Sequence, residues 1–182
     1  MKKIIITSLC LLLFPLINFA QSFYSISVRD IDGNAVTLQN YSGRKIMFVV
    51  LPMSINDSCY QQLSAFKARY TDTVKIVGIV SFEDGYAADK KVALKNMYSS
   101  LGIVLTEEMH TRKISGMDQP ELIQWLTDPM KNQHFNVQVK GVGQTFFINE
   151  AGVLFAVLSP LTKLDSRAVD VIVHNNKALS GR

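Results

Sequence analysis

The sequence predicts an α/β domain with a mixed central sheet flanked by helices and a β-hairpin at its N-terminal end. Three observations carry this. The runs 46–51 and 74–80 are almost continuously apolar, as strands covered on both faces of a parallel sheet are. A segment of helical spacing separates them, which is the crossover that a parallel pair needs. Further on, 144–148 and 153–158 flank the turn Asn149-Glu150-Ala151-Gly152 and read as an antiparallel hairpin, which makes the sheet mixed.

The elements follow in order. Lys2 and Lys3 precede an apolar run over 4–19, and Ala20 ends it before Gln21. That is the charged, apolar and small-residue pattern of a secretory signal peptide over residues 1–20, so the chain is expected to be exported, to a periplasm or to the outside. The run is short for a membrane span and lacks a charged stop-transfer flank. Residues 21–182 then form one domain. Positions 23–28 alternate in strand fashion, Asp30-Ile31-Asp32-Gly33-Asn34 is a turn, and 35–38 returns as a second strand. Pro52 closes the first buried strand. Asn56, Asp57 and Ser58 are good N-caps for a helix whose inner residues Leu63, Phe66 and Tyr70 recur at three and four, with Lys67 and Arg69 turned outward.

After the second buried strand, Asp84-Gly85 marks a loop before a helix over 87–100, with Val92, Leu94 and Met97 inward. Pro120 suits the first turn of a shorter helix carrying Leu122, Ile123, Trp125 and Leu126, where Trp125 reads as core rather than as a binding platform. Residues 164–173 read as a closing helix. Strand hairpin, β-α-β-α, terminal hairpin and final helix together match the order of the thioredoxin fold.

Charge and cysteine content bound the chemistry. The net charge of +4 includes Lys2 and Lys3, and no Lys/Arg block is dense enough for nucleic acid or a membrane surface. Of the two cysteines, Cys10 lies inside the apolar leader, so Cys59 is the one thiol of the mature chain and no internal disulfide can form. His110, His134 and His174 lack ligand spacing, and Ser54 has no His–acid partner in sequence. A monomer without metal or cofactor is expected.

Several stretches resemble glutathione peroxidases. Phe23-Tyr24 with Val28-Arg29-Asp30-Ile31-Asp32-Gly33 is similar to the family's opening "FYDFxVxDIDG", and Val36-Thr37-Leu38 with Tyr41-Ser42-Gly43-Arg44 to its "VSLxxYKGK". Residues 63–70 resemble the "LxxLYxKY" helix, 120–126 resemble "HPLYKWL", and 146–152 resemble "KFLIDRDG". The resemblance implies a thioredoxin-like fold and thiol-dependent reduction of peroxides in oxidative-stress defence, with peroxide and a thiol reductant as partners. Carried over by position, the family's peroxidatic cysteine falls on Ser54, its glutamine on Glu83, and its Trp-Asn pair on Gly141 and Val142. The helix over 87–100 also lacks the resolving cysteine of thioredoxin-dependent members.

Peroxide reduction needs a thiolate or selenolate that attacks the O–O bond, and a serine hydroxyl is not one. Glu83 would raise the pKa of a thiolate beside it. A second resemblance, to the "WCGPCRxELPAF" helix start of thioredoxin-like reductases, sets Cys59 on the second cysteine and Asn56 on the first, and Gly143 where those proteins carry a cis-proline. Cys59 in the first helical turn has a dipole that favours the thiolate, while Asp57 opposes it. Two readings stay open. One is a one-cysteine redox protein acting through Cys59; the other is a non-catalytic module binding a protein or peptide around Ser54, Glu83 and Gly143, with Cys59 packed as a small apolar residue.

Overall fold

The computed structural model describes residues 22–70, 73–115, 117 and 119–174. The leader read over 1–20, with Cys10, lies outside them.

One strand pair built from the two apolar runs forms the centre. Strand β3 (Lys45–Val50) lies parallel to β4 (Val74–Ser81), and helix α1 (Ser58–Arg69) makes the crossover. Beyond β4 comes α2 (Lys91–Ser99) and then β5 (Val104–Met109), parallel to β4. On the other side of β3, β6 (Thr145–Ile148) and β7 (Leu154–Leu158) run antiparallel, giving the order β5-β4-β3-β6-β7. Every residue of β3 is buried, because helices cover both faces. Leu63 and Phe66 of α1, Leu94 and Tyr98 of α2, and Val169 and Val173 of α5 (Arg167–His174) pack on one face against Met47, Val49 and Phe147. Leu122, Ile123, Trp125 and Leu126 of α3 (Glu121–Thr127) pack on the other against Phe48, Val50 and Phe146. Trp125 is core, at 2% exposure. A short α4 (Pro129–Asn132) follows α3.

The N-terminal hairpin is a separate two-stranded sheet and shorter than its alternation predicts. Only Val28–Arg29 (β1) and Ala35–Val36 (β2) pair, while Phe23–Ser25 and Leu38–Tyr41 are 3-10 turns. Ser25 bonds back to the Ser22 carbonyl through both N–H and hydroxyl, which folds Phe23 inward against Trp125 at 5.0 Å between rings. Burying that ring outweighs the strand propensity of the stretch.

Three more expectations change. Strand β5 has no counterpart in the sequence reading, because Thr106, Glu107 and Glu108 interrupt its apolar run. It forms one edge of the sheet, where charge is tolerated. The helix over 87–100 is a 3-10 turn, Ala88–Lys90, followed by α2, and Val92 is 69% exposed. Leu94 and Tyr98 set the buried stripe of α2, and Val92 falls on the opposite face. The closing helix starts at Arg167 rather than 164, with Leu164 buried in the loop before it. Among the described residues no helix is long and apolar enough to cross a membrane.

Candidate functional site

The carboxyl ends of β3, β4 and β5, the start of α1 and the loop into β6 meet at one end of the sheet, where ligands bind in open α/β folds. The loop after β3 is tied down first. Tyr98 donates its hydroxyl to the Pro52 carbonyl at 2.9 Å. Ser54 follows on the surface. Its Oγ accepts the Asn56 N–H at 3.2 Å and its carbonyl accepts the Asp57 N–H at 3.2 Å, so the serine shapes the turn into α1.

Asp57 caps α1 from an extended backbone, its carboxylate accepting the N–H of Cys59 at 2.7 Å. Cys59 thus sits in the first turn, as its sequence position predicts, but the helix end does not yield a thiolate. Its side chain is half-buried against the core that covers α1. Burial, helped by the Asp57 charge, pushes its pKa up to about 12. The cap takes up one of the N–H groups at the helix start and sets a negative charge beside the thiol.

Gly143 faces the thiol. It has φ +86°, and a Cβ there would lie 3.4 Å from the Pro160 carbonyl and 3.5 Å from Cys59 Sγ. Among the described residues no peptide bond is cis. Where thioredoxin-like proteins carry a cis-proline, this chain has a glycine, set between the Pro160 carbonyl and Cys59 Sγ.

Glu83 turns away from Cys59. It lies in a 3-10 turn, Phe82–Asp84, directly after β4. One carboxylate oxygen accepts the Thr111 N–H at 3.0 Å and the hydroxyls of Thr111 and Ser81 at 3.1 Å each. The other meets His110 Nδ1 at 3.0 Å. Burial alone would raise the Glu83 pKa, but the donors from Thr111, His110 and Ser81 overcome it and hold the group at about 2. The expected effect of Glu83 on a nearby thiolate is therefore replaced: the carboxylate beside Cys59 is that of Asp57.

Asp84 completes the network. Its Oδ2 lies 2.7 Å from Ser81 Oγ and shares that one hydroxyl hydrogen with Glu83, and its Oδ1 accepts Arg112 Nη2 at 3.0 Å; the same guanidinium donates to the Lys140 carbonyl at 3.4 Å. Gly141 is pressed against this pair. At φ +132°, a Cβ on it would meet Asp84 Oδ1 at 3.0 Å and Arg112 Nη2 at 3.2 Å. Glu83 and Gly141, distant in sequence, are thus joined through Asp84 and Arg112. Val142 follows Gly141 in the same loop, and among the described residues no polar contact joins it to the network. The sequence points to His110 only as a possible metal ligand and gives no sign of Thr111 and Arg112, because β5 is hidden; reading that strand would have put all three at the carboxyl end of the sheet beside Glu83. His134 and His174 lie elsewhere, and among the described residues no three His, Cys, Asp or Glu side chains converge as a metal set.

Solved structures share this architecture. Trgpx in its apo form is 18% identical, with a TM-score of 0.58 over 84% of this chain and 96% of that one. T. cruzi GPX1 is 13% identical, with a TM-score of 0.57 over 77% and 87%. The fold is thioredoxin-like. A thioredoxin-family thiol:disulfide interchange protein from Chlorobium tepidum TLS, 18% identical with a TM-score of 0.51 over 85% and 94%, shares this thioredoxin-like fold too. The fold expected from the glutathione-peroxidase resemblance is therefore the fold observed. No family model matches the chain, and no curated protein does.

Proposed function

We propose that this is an exported glutathione-peroxidase-like protein whose thioredoxin-like domain has given up peroxide reduction and serves as a binding module at the carboxyl end of its sheet. One observation carries the reading: the single thiol of the mature chain is half-buried, with the Asp57 carboxylate on its own N–H and its pKa pushed up to about 12. At neutral pH such a group is a thiol and not the nucleophile that the O–O bond requires. Ser54, at the position carried over from the peroxidatic cysteine, offers a surface hydroxyl engaged in a turn. Glu83, at the position of the glutamine, spends its acceptors on Thr111, Ser81 and His110. The glutathione-peroxidase and thiol-interchange names among the structural neighbours support the redox ancestry of the fold.

The test is peroxide consumption. The mature protein and a Cys59→Ser variant are incubated with hydrogen peroxide and either glutathione or reduced thioredoxin. Equal, background-level loss in both is expected. Turnover in the parent that the substitution abolishes would overturn the proposal in favour of a one-cysteine peroxidase reduced by an external thiol.

A further inference from the structure

Away from Ser54 and Cys59, on the α3–α4 side of the domain, two adjoining cavities share Lys113, Gln119, Thr127, Val137 and Gln138. The larger, about 460 Å³, runs along residues 136–138. The segment Phe135-Asn136-Val137-Gln138-Val139 alternates as a strand does: Val139 is buried, Phe135 and Val137 pack partly into the core, and Asn136 and Gln138 are exposed. It nevertheless pairs with no strand of either sheet.

Its backbone hydrogen bonds show what is open. Phe135 N–H donates to Asn132 Oδ1 at 2.7 Å, and its carbonyl accepts from Asn132 Nδ2 at 3.0 Å. Val137 N–H donates to the Thr127 carbonyl at 3.1 Å. In an extended chain, alternate residues direct their N–H and C=O to opposite edges, so the odd-numbered edge is held by α3 and α4 through Phe135 and the Val137 N–H. On the even-numbered edge the Gln144 amide acts as a stand-in for a neighbouring strand. Its nitrogen donates to the Gln138 carbonyl at 3.1 Å and its oxygen accepts the Lys140 N–H at 2.5 Å. The amide covers that edge only from the Gln138 carbonyl onward. Asn136 N–H, Asn136 C=O and Gln138 N–H have no hydrogen-bond partner among the described residues. They are the groups that one further strand would bond.

We propose that this cleft takes an extended polypeptide segment of a partner protein by β-strand addition to residues 136–138. Main-chain bonds supply affinity with little regard to sequence in this mode. Lys113 and the Asp128 carboxylate that caps α4 both line the cleft, so its charges are balanced and the open main-chain groups carry the recognition. The proposal does not rest on the loss of peroxide chemistry, since no residue of the cleft is Ser54, Cys59 or Glu83.

Amide hydrogen exchange of the full mature chain, read by NMR with and without a reduced, carboxymethylated, permanently unfolded polypeptide, tests it. The amides of Asn136 and Gln138 should slow by roughly tenfold or more on saturation, while Val137, already bonded to Thr127, stays unchanged. Asn136→Pro removes the open N–H and should weaken binding at least about tenfold. Asn136→Ala, which keeps the backbone, should bind as the parent does. Proline there keeps Phe135 in the extended region it needs, and the parent's exchange data stand even if that variant misfolds. No saturable change up to about 1 mM polypeptide, or equal binding by a folded Asn136→Pro, overturns the proposal. Changes confined to the Ser54–Cys59–Gly143 end also overturn it and leave the binding-module reading intact.

Discussion

The carboxylate of Asp57 accepts the backbone N–H of Cys59 at 2.7 Å, so the residue that caps α1 also sets the charge beside the Cys59 thiol. The cap thus puts a negative charge beside a thiol that burial already holds protonated.

A pH dependence follows from the raised Cys59 pKa. The ordinary value is 9.0 and the folded value about 12, so the folded state favours the protonated thiol. Its stabilising effect is complete below pH 9 and is lost as pH rises toward 12. Thermal melts of the parent and of Cys59→Ser across that range should therefore converge from below pH 9 upward, the parent losing more. Alkylation by iodoacetamide near pH 8 should be slow in the parent and faster in Asp57→Asn, which keeps a capping oxygen and removes the charge.

Glu83 gives the opposite sign. Its carboxyl is held at about 2 against an ordinary 4.5, so the stability it contributes is present above pH 4.5 and lost as pH falls toward 2. Glu83→Gln should destabilise the protein by about 1–3 kcal/mol at neutral pH, since it leaves the Thr111 and Ser81 donors poorly matched. Chemical denaturation at pH 7 and pH 3 checks this. The gap between parent and variant should narrow at the lower pH.

Gly141→Ala should cost about 1–3 kcal/mol. The alanine would need φ +132° and would press its Cβ on the Asp84–Arg112 pair at 3.0 and 3.2 Å. Urea titration followed by the fluorescence of the single tryptophan, Trp125, measures it. An unchanged midpoint would mean that the loop relaxes without the pair.

Ser54→Cys in a Cys59→Ser background separates loss of one residue from loss of a site. The new thiol, on the surface at the turn into α1, should react with a disulfide reagent at least about tenfold faster than Cys59 does in the parent. Peroxide turnover should remain at background, because Glu83 and Gly141 still occupy the positions carried over from the family's glutamine and tryptophan. Turnover restored by this one change would show that the remaining site is intact.

The sequence by itself determined the parts that repeat or punctuate. The apolar runs over 46–51 and 74–80 made β3 and β4, Asp57 made the cap of α1, and Asn149-Glu150-Ala151-Gly152 made the hairpin turn. These depend on periods of two and of 3.6 residues and on local side-chain bonds, which lie within a few neighbours of each residue. The sequence also marked Cys59, Ser54, Glu83 and Gly141 as positions of interest. Only the tertiary structure decided what they do. Strand β5, its pattern blurred by two glutamates, brings Thr111 and Arg112 to Glu83 and Asp84, across 28 residues of chain. Gly143 lies beside both the Cys59 thiol and Pro160, which come from distant parts of the chain. Phe23 abandons its strand for contacts with Trp125 on a helix about a hundred positions away. Burial of Cys59 is a sum over such distant neighbours, and together with the charge of Asp57, two positions away, it pushes the thiol pKa up to about 12.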